Sequence, residues 1–268
     1  MLERQQAQVN LDYESFKRKV KASYGLDLGA YKQPQMERRL RANMDRCGAH
    51  SFVDYYNRMQ RDPVLLDEFL DRVTINVSEL FRNPEMFEVL RTKILPELSC
   101  KSRAISVWSA GCSYGAEPYT LAVLLDELNL KFGYSILATD IDDRMLARAT
   151  RGVFTEPEMR NVAKHRLLKY FNRLTDGYEA KDNIKSRITF KKHNLLEERF
   201  GLGYDLIVCR NVVIYFTEQA KSGLYRKFYD SLKPGGYLFV GGTERVTDHL
   251  EIGYETPLPF FYRKPASN

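Results

Sequence analysis

The residues that could do chemistry here are two glycines and an aspartate. Gly111 and Gly115 interrupt the stretch AISVWSAGCSYGAEPY at 104–119. Ile105, Val107, Trp108 and Ala110 lead into them as a strand, and Leu121, Leu124, Leu125 and Leu128 follow at helical spacing. Glycine at such a turn lets the backbone approach a ligand closely, and the free N–H groups at the start of the next helix point toward it. The spacing is not the G-x-G-x-x-G of dinucleotide enzymes. A second strand, YSILAT at 134–139, ends in Asp140-Ile141-Asp142. In doubly wound folds, a carboxylate at the tip of the strand after the glycine loop accepts from both ribose hydroxyls. A nucleoside-bearing ligand is the expectation, with Asp140 on its ribose; the alternative use of Asp140 is as a helix cap.

Metal and redox chemistry find little support. Cys47, Cys100, Cys112 and Cys209 are scattered with no C-x-x-C pair, which favours reduced thiols over disulfides or zinc, and His50, His165, His193 and His249 are equally dispersed. No metal site is expected. With 268 residues, 44% hydrophobic and 28% charged, the chain has the make-up of a soluble globular protein with room for one large domain and a smaller companion. No apolar run reaches the ~20 residues of a membrane span, and MLERQQAQVN lacks a signal-peptide core, so a cytoplasmic protein without membrane insertion is expected.

The net charge of +6 raises nucleic acid as a partner, but the excess is local. Phe16 to Gly48 carries nine Lys or Arg against three acids, while Asp54 to Glu88 carries eight acids against four arginines. Within the basic part, Met36, Leu40, Met44 and Cys47 form an apolar stripe on a helix from about Lys32 to Cys47. Arg38, Arg39, Arg41 and Arg46 lie off that stripe. They form either a solvated face or a docking surface for an acidic partner.

The elements that must position these residues fall into two groups. Residues 1–100 read as helices and a linker, with segment 99–103 as the joint. From 101 to 268 strands and helices alternate as in an α/β domain. Within it, 172–193 suggests a small antiparallel β insertion, because Gly177, Asp182-Asn183 and the alternating Ser186–Lys191 read as turns and a strand. Tyr204 to Cys209 is a buried-type strand ending in Arg210-Asn211. Pro234-Gly235-Gly236 predicts a turn before a strand at Tyr237 to Val240, and Phe260 to Arg263 supplies the last strand.

Taken together, TINVSELFRNPEMF (74–87), VWSAGCSYGAEPYTLA (107–122), ATDID (138–142), HNLLE (193–197), DLIVCRNVVIYF (205–216) and LKPGGYLFVGGTE (232–244) resemble the CheR-type chemotaxis receptor methyltransferases. These are S-adenosylmethionine-dependent protein-glutamate O-methyltransferases, and the resemblance covers nearly the whole chain. It implies a Rossmann-like class I methyltransferase sheet with an all-helical N-terminal domain and a small antiparallel β insertion. It also implies S-adenosylmethionine as cofactor, S-adenosylhomocysteine as product and methyl-accepting receptors, glutamate-rich helical bundles, as partners of a monomeric enzyme.

By the same resemblance Asn76, Ser78 and Arg82 belong to a segment that closes over the cofactor, and Glu117 to the first loop. Asp140 binds the ribose, with Gly111, Asn194, Leu195, Arg210 and Asn211 completing the cofactor site. Arg82 and Tyr215 are placed near the transferred methyl as the catalytic pair. Arg38, Arg39, Arg41 and Arg46 become a receptor-docking face, and the β insertion matches in place one that some relatives use to grip a receptor tail. Two positions depart from the family's usual pattern: Tyr114 stands for Thr, and Ala116 for the first of two Glu. A carboxylate nucleophile of ordinary pKa, about 4.3, is already ionised at neutral pH and needs no general base. His193 is then expected to be structural. The competing readings are a methyltransferase acting on nucleic acid, which the pI near 9.0 favours, and a non-catalytic docking or sensing protein. No base-stacking aromatic series supports the first, and Arg82 with Tyr215 argues against the second.

Overall fold

The computed structural model describes residues 2–74, 76 and 78–266, with residues 2–10 described by their backbone alone. Among the described residues the chain divides into two compact units. The first runs to Thr74 and takes in Tyr215–Lys221; the second comprises Asn76–Ile214 and the chain from Ser222 onward.

The first unit is helical: α1 (Leu2–Tyr24), α2 (Gln33–Cys47), α3 (Phe52–Met59) and α4 (Pro63–Thr74). Its core is aromatic, with Phe16 in ring contact with Phe52, Tyr55 and Phe69. Met36, Leu40 and Met44 of α2 are buried as their spacing predicts. Ser51 caps α3 by accepting from the Asp54 N–H at 3.0 Å, and Asp12 accepts from the next free amides, those of Phe52 and Val53. Tyr31 and Phe216 form an antiparallel bridge. Around it the Lys32 N–H donates to the Tyr215 carbonyl (2.9 Å) and the Thr217 N–H to the Ala30 carbonyl (2.8 Å).

The second unit opens with α5 (Pro84–Val89), a π turn at Leu90–Ile94 and α6 (Leu95–Lys101). There follow β1 (Ile105–Ala110), α7 (Ala116–Glu127), β2 (Tyr134–Asp140), α8 (Asp143–Arg151), β3 (Val153–Phe154), α9 (Lys164–Tyr170), β4 (Phe171–Leu174), β5 (Gly177–Ala180), α10 (Asp182–Lys185), β6 (Ile188–Lys192) and β7 (Tyr204–Cys209). The chain ends with α11 (Glu218–Ser231), whose first turn lies in the helical unit, β8 (Leu232–Val240), α12 (His249–Ile252), β9 (Glu255–Leu258) and β10 (Phe261–Arg263). The main sheet has the order β6-β2-β1-β7-β8-β10-β9. Strands β6 through β8 are parallel and β10 is antiparallel to both its neighbours. This is the Rossmann-like methyltransferase arrangement that the resemblance implied. The inner strands β1 and β7 are apolar and almost wholly buried, as strands covered on both faces must be. Strand order reverses between β1 and β7, so the crevice at their carboxyl ends is the expected ligand site.

Three sequence expectations shift in detail. Alternation at 186–191 assigned that stretch to the antiparallel insertion, but β6 pairs in parallel with β2, from Ile136↔Ile188 to Asp140↔Lys192. An edge strand that buries one face alternates in the same way whichever sheet it joins. The small sheet is instead β3-β5-β4. Pro234-Gly235-Gly236 lies inside β8, as an irregularity opposite Tyr204 and Leu206, with Gly235 at φ +79°. The joint read at 99–103 lies within the second unit. Leu80, Phe81, Phe87, Leu90, Ile94, Leu95 and Leu98 share one buried cluster with Val107, Leu121, Leu206 and Phe239, so the stretch through α5 and α6 packs on the sheet.

Candidate functional site

The loop from β1 to α7 begins at Gly111, whose φ is +79° and where a Cβ would lie 2.5 Å from Val212 Cγ2. Only glycine fits so close an approach at that φ. The Gly111 and Cys112 N–H groups both donate to the Thr139 carbonyl, at 2.8 and 2.9 Å, which ties the loop to the end of β2. Ser113, at φ +48°, then donates its N–H to Asp140 Oδ2 at 2.7 Å and its hydroxyl to Asn76 Oδ1 at 2.9 Å.

Asp140 is buried and also accepts from the Asp142 N–H on Oδ1 at 3.0 Å. Burial raises its pKa above the ordinary carboxylate value, and the backbone donors oppose that. The helix cap expected as the alternative role of Asp140 is held by Asp142, which accepts from the Arg144 N–H at the start of α8. An ionised carboxylate offers about four acceptor sites, so Asp140 keeps acceptor capacity for a ribose hydroxyl beside its backbone donors. Tyr114, one of the two departures, donates its hydroxyl to the Ser78 carbonyl, and the Arg148 guanidinium stands over its ring at 4.1 Å. The substitution therefore fastens Ser78 to the glycine loop. Ala116, the other departure, is fully buried at the first position of α7.

A second group of charges gathers past the end of β7. Glu117 accepts from the Ser109 hydroxyl on Oε1 at 2.8 Å, and its Oε2 lies 3.8 Å from Arg210 Nη1. Burial pushes the Glu117 carboxyl up to about 7, against the pull of the Arg210 charge. Arg210 itself is lowered by burial. Its Nη2 donates to the Arg82 carbonyl and to Asn83 Oδ1, both at 3.0 Å, and its guanidinium lies 4.9 Å from the ring centres of Phe87 and Phe239. Arg210 Nε is buried with no hydrogen-bond partner among the described residues.

Arg82 sits between Phe81 and Asn83, both in the left-handed region at φ +55° and +61°. Backbone held that way in non-glycine residues is a constraint the surroundings must impose. Here Thr120 does so in part, accepting the Phe81 N–H at 2.9 Å. The positive charge of Arg82 also lowers the Glu117 carboxyl, so the two lie within electrostatic reach.

After β6 the His193 N–H donates to the Asp140 carbonyl (2.9 Å), and Asn194 turns the chain by accepting from the Leu196 N–H at 3.0 Å. Leu195 is buried. His193 packs edge-on against Trp108 and pairs through Nε2 with the Arg199 carbonyl, while its Nδ1 is buried with no hydrogen-bond partner among the described residues.

Asn76, Ser78, Gly111 and Asp140 thus meet around the glycine loop, and Arg82, Glu117, Arg210 and Asn211 around the end of β7. Tyr215 belongs to the helical unit, where the Arg39 guanidinium lies over its ring at 4.8 Å. On α2, Arg41 pairs with Glu37 and stacks on Phe52, Arg46 pairs with Glu68, and Arg38 is exposed. Sequence reading passed over Ser109, Ser113 and Glu244. All three lie inside quoted motifs, but hydroxyls are too common in turns to stand out, and a glutamate at a motif's end carries no sign of the amides it will meet.

A glycine loop at the switch point, a carboxylate at the tip of β2 and a parallel sheet closed by an antiparallel strand define a Rossmann-like methyltransferase. A family model described as CheR methyltransferase, SAM binding domain, matches residues 76–256, and one described as CheR methyltransferase, all-alpha domain, matches 11–74. Chemotaxis protein methyltransferases resemble the chain over most of both lengths. That of Listeria innocua is 40% identical, covering 94% of this chain and 97% of its own. That of Borreliella burgdorferi is 34% identical (94% and 95%), and Cher2 of Pseudomonas putida 35% identical (91% and 94%). The chain belongs to the CheR methyltransferase family, and its cofactor is S-adenosylmethionine.

Proposed function

We propose that this methyltransferase esterifies glutamate side chains of chemotaxis receptors, forming glutamate methyl esters and S-adenosylhomocysteine. The observation that carries the reading is the guanidinium of Arg82, held on a constrained turn within reach of Glu117 at the cofactor end of the sheet. The bound cofactor supplies a methyl group on a sulfonium, open to in-line attack. The chain's own residues then have positioning to do. Arg82 holds the incoming carboxylate by charge-assisted hydrogen bonds. Asp140 accepts from the ribose hydroxyls, Glu117 with Arg210 and Asn211 receives the amino-acid portion, and Asn76 and Ser78 cover the ligand. Gly111 leaves room at the loop, and Asn194 and Leu195 border the adenine.

Arg82 must hold the carboxylate loosely. The charges of carboxylate and sulfonium disappear as they react, so a site that over-stabilises them in the ground state slows the step. The resemblance gives Tyr215 a share in orienting the nucleophile. It gives Arg38, Arg39, Arg41 and Arg46 the docking of the acidic receptor helices.

The test is chemical. Receptor-containing membranes are incubated with the enzyme and methyl-labelled cofactor, then treated with mild base. Volatile label, released as methanol, is the expected result; label that stays on the product would replace the ester with another linkage and end this reading.

A further inference from the structure

Glu244 follows the end of β8 and is only 3% exposed, yet no cation forms an ion pair with it among the described residues. Its carboxylate is satisfied by four main-chain donors. Oε2 accepts from the Asn211 and Gly241 N–H groups, both at 2.7 Å, and Oε1 from those of Val212 at 3.0 Å and Val213 at 3.1 Å. A buried carboxylate is stable only when its charge is met by such donors. Here the dependence runs both ways.

Three successive amides converge on one point because Asn211 adopts φ +61°, which bends the chain just past β7. Without the acceptor those amides would be buried donors lacking a partner. Gly241 completes the arrangement: a Cβ there would lie 2.4 Å from Glu244 Oε2 and 3.1 Å from the Asn211 nitrogen.

We propose that Glu244 is a positioning residue for the cofactor, its carboxylate setting the 211–213 turn so that Asn211, with Arg210 before it, faces the S-adenosyl ligand. The proposal rests on the reading that Arg210 and Asn211 border the cofactor. Glu244 acts through the backbone and does not touch the ligand. Glutamine is nearly isosteric but puts an NH₂ group where two N–H groups already point, so Glu244→Gln should release the turn.

The experiment is calorimetric titration of S-adenosylhomocysteine into Glu244→Gln, Gly241→Ala, Asn211→Gly and the Glu244→Gln/Asn211→Gly double variant, with the thermal midpoint of each recorded. Asn211→Gly removes the side chain but keeps the left-handed backbone. Gly241→Ala displaces the same carboxylate without deleting it, and carries the test if Glu244→Gln does not fold. Each single variant should bind about tenfold more weakly, and the double variant no more weakly than Glu244→Gln alone, since both changes remove one effect. A general loss of stability would lower the midpoints but would not make the binding losses non-additive. If Glu244→Gln and Gly241→Ala bind like the wild type while Asn211→Gly is weakened, Glu244 has no positioning role. Fully additive losses have the same meaning. If Asn211→Gly binds normally, Asn211 does not border the cofactor and the premise itself is wrong.

Discussion

On α2, Glu37 and Arg41 pair across one helical turn at 2.6 Å with the arginine side chain 46% exposed, whereas Glu117 and Arg210 of the α/β unit face each other at 3.8 Å with side chains 12% and 3% exposed. The first pair is a surface ion pair in water's dielectric; the second is withdrawn from water, with Glu117 accepting from the Ser109 hydroxyl and Arg210 donating to the Arg82 carbonyl and Asn83 Oδ1. In water an ion pair contributes ~0–1 kcal/mol, because solvent already satisfies both partners. Out of water, each charge must find its hydrogen-bond partners inside the protein, and a ligand that brings charge changes their balance strongly. The α/β unit's charges are therefore suited to recognising a charged cofactor and nucleophile. Those of α2 are suited to long-range attraction that salt screens.

That contrast can be broken at its strong end first. Arg82→Ala should lower turnover by about 100-fold, the usual order for a charged donor that acts on the reacting groups, while S-adenosylhomocysteine affinity changes by less than about threefold. Equal loss of both would make Arg82 a cofactor clamp and no more. Asp140→Ala should weaken cofactor binding by ~1–3 kcal/mol, since two ribose hydroxyls would lose their acceptor. Unchanged affinity by calorimetry would remove the ribose assignment.

Glu117 sharpens the comparison through pH. Its pKa is raised from 4.5 to about 7 in the folded protein, so the folded state binds more protons than the unfolded chain between those values. The stabilisation that protonated Glu117 contributes is complete below pH 4.5, falls as pH rises through that window and is gone above about 7. Relative to Glu117→Gln, the wild type should lose thermal stability between pH 5 and 8; parallel midpoint curves would mean that Glu117 is ionised throughout. The smallest effect belongs to α2. Arg41→Ala should change unfolding free energy by no more than ~0.5 kcal/mol beyond its packing on Phe52, as denaturant titration would show. Arg38→Glu should leave stability alone, raise the Michaelis constant for receptor and flatten its salt dependence. Wild-type kinetics in that variant would take α2 out of receptor docking.

How much of this was legible in the sequence depended on the range of the signal. Helix α2, the inner strands β1 and β7 and the carboxylate at the end of β2 are local patterns, set by the 3.6-residue and two-residue periods and by glycine's backbone freedom. The alternation of strand β6 specifies one buried face but names no neighbour, and only the register with β2 does. Helical spacing from Leu80 to Leu98 does not say which core these helices cover; their contacts with β1, β7 and β8 do.

The charges make the same division. That Asp140 would sit at a strand tip beyond a glycine loop followed from spacing alone, and so did the class of ligand. That Glu117 would titrate near neutrality, that Arg210 would lie 4.9 Å from Phe87 and Phe239, and that Glu244 would gather four amides from two separate turns could come only from the folded chain. Desolvation and hydrogen-bond convergence are properties of groups brought together from as many as 128 residues apart. A one-dimensional pattern holds the identities of such groups but not their distances, and it is distance and burial that turn an ordinary glutamate into a site.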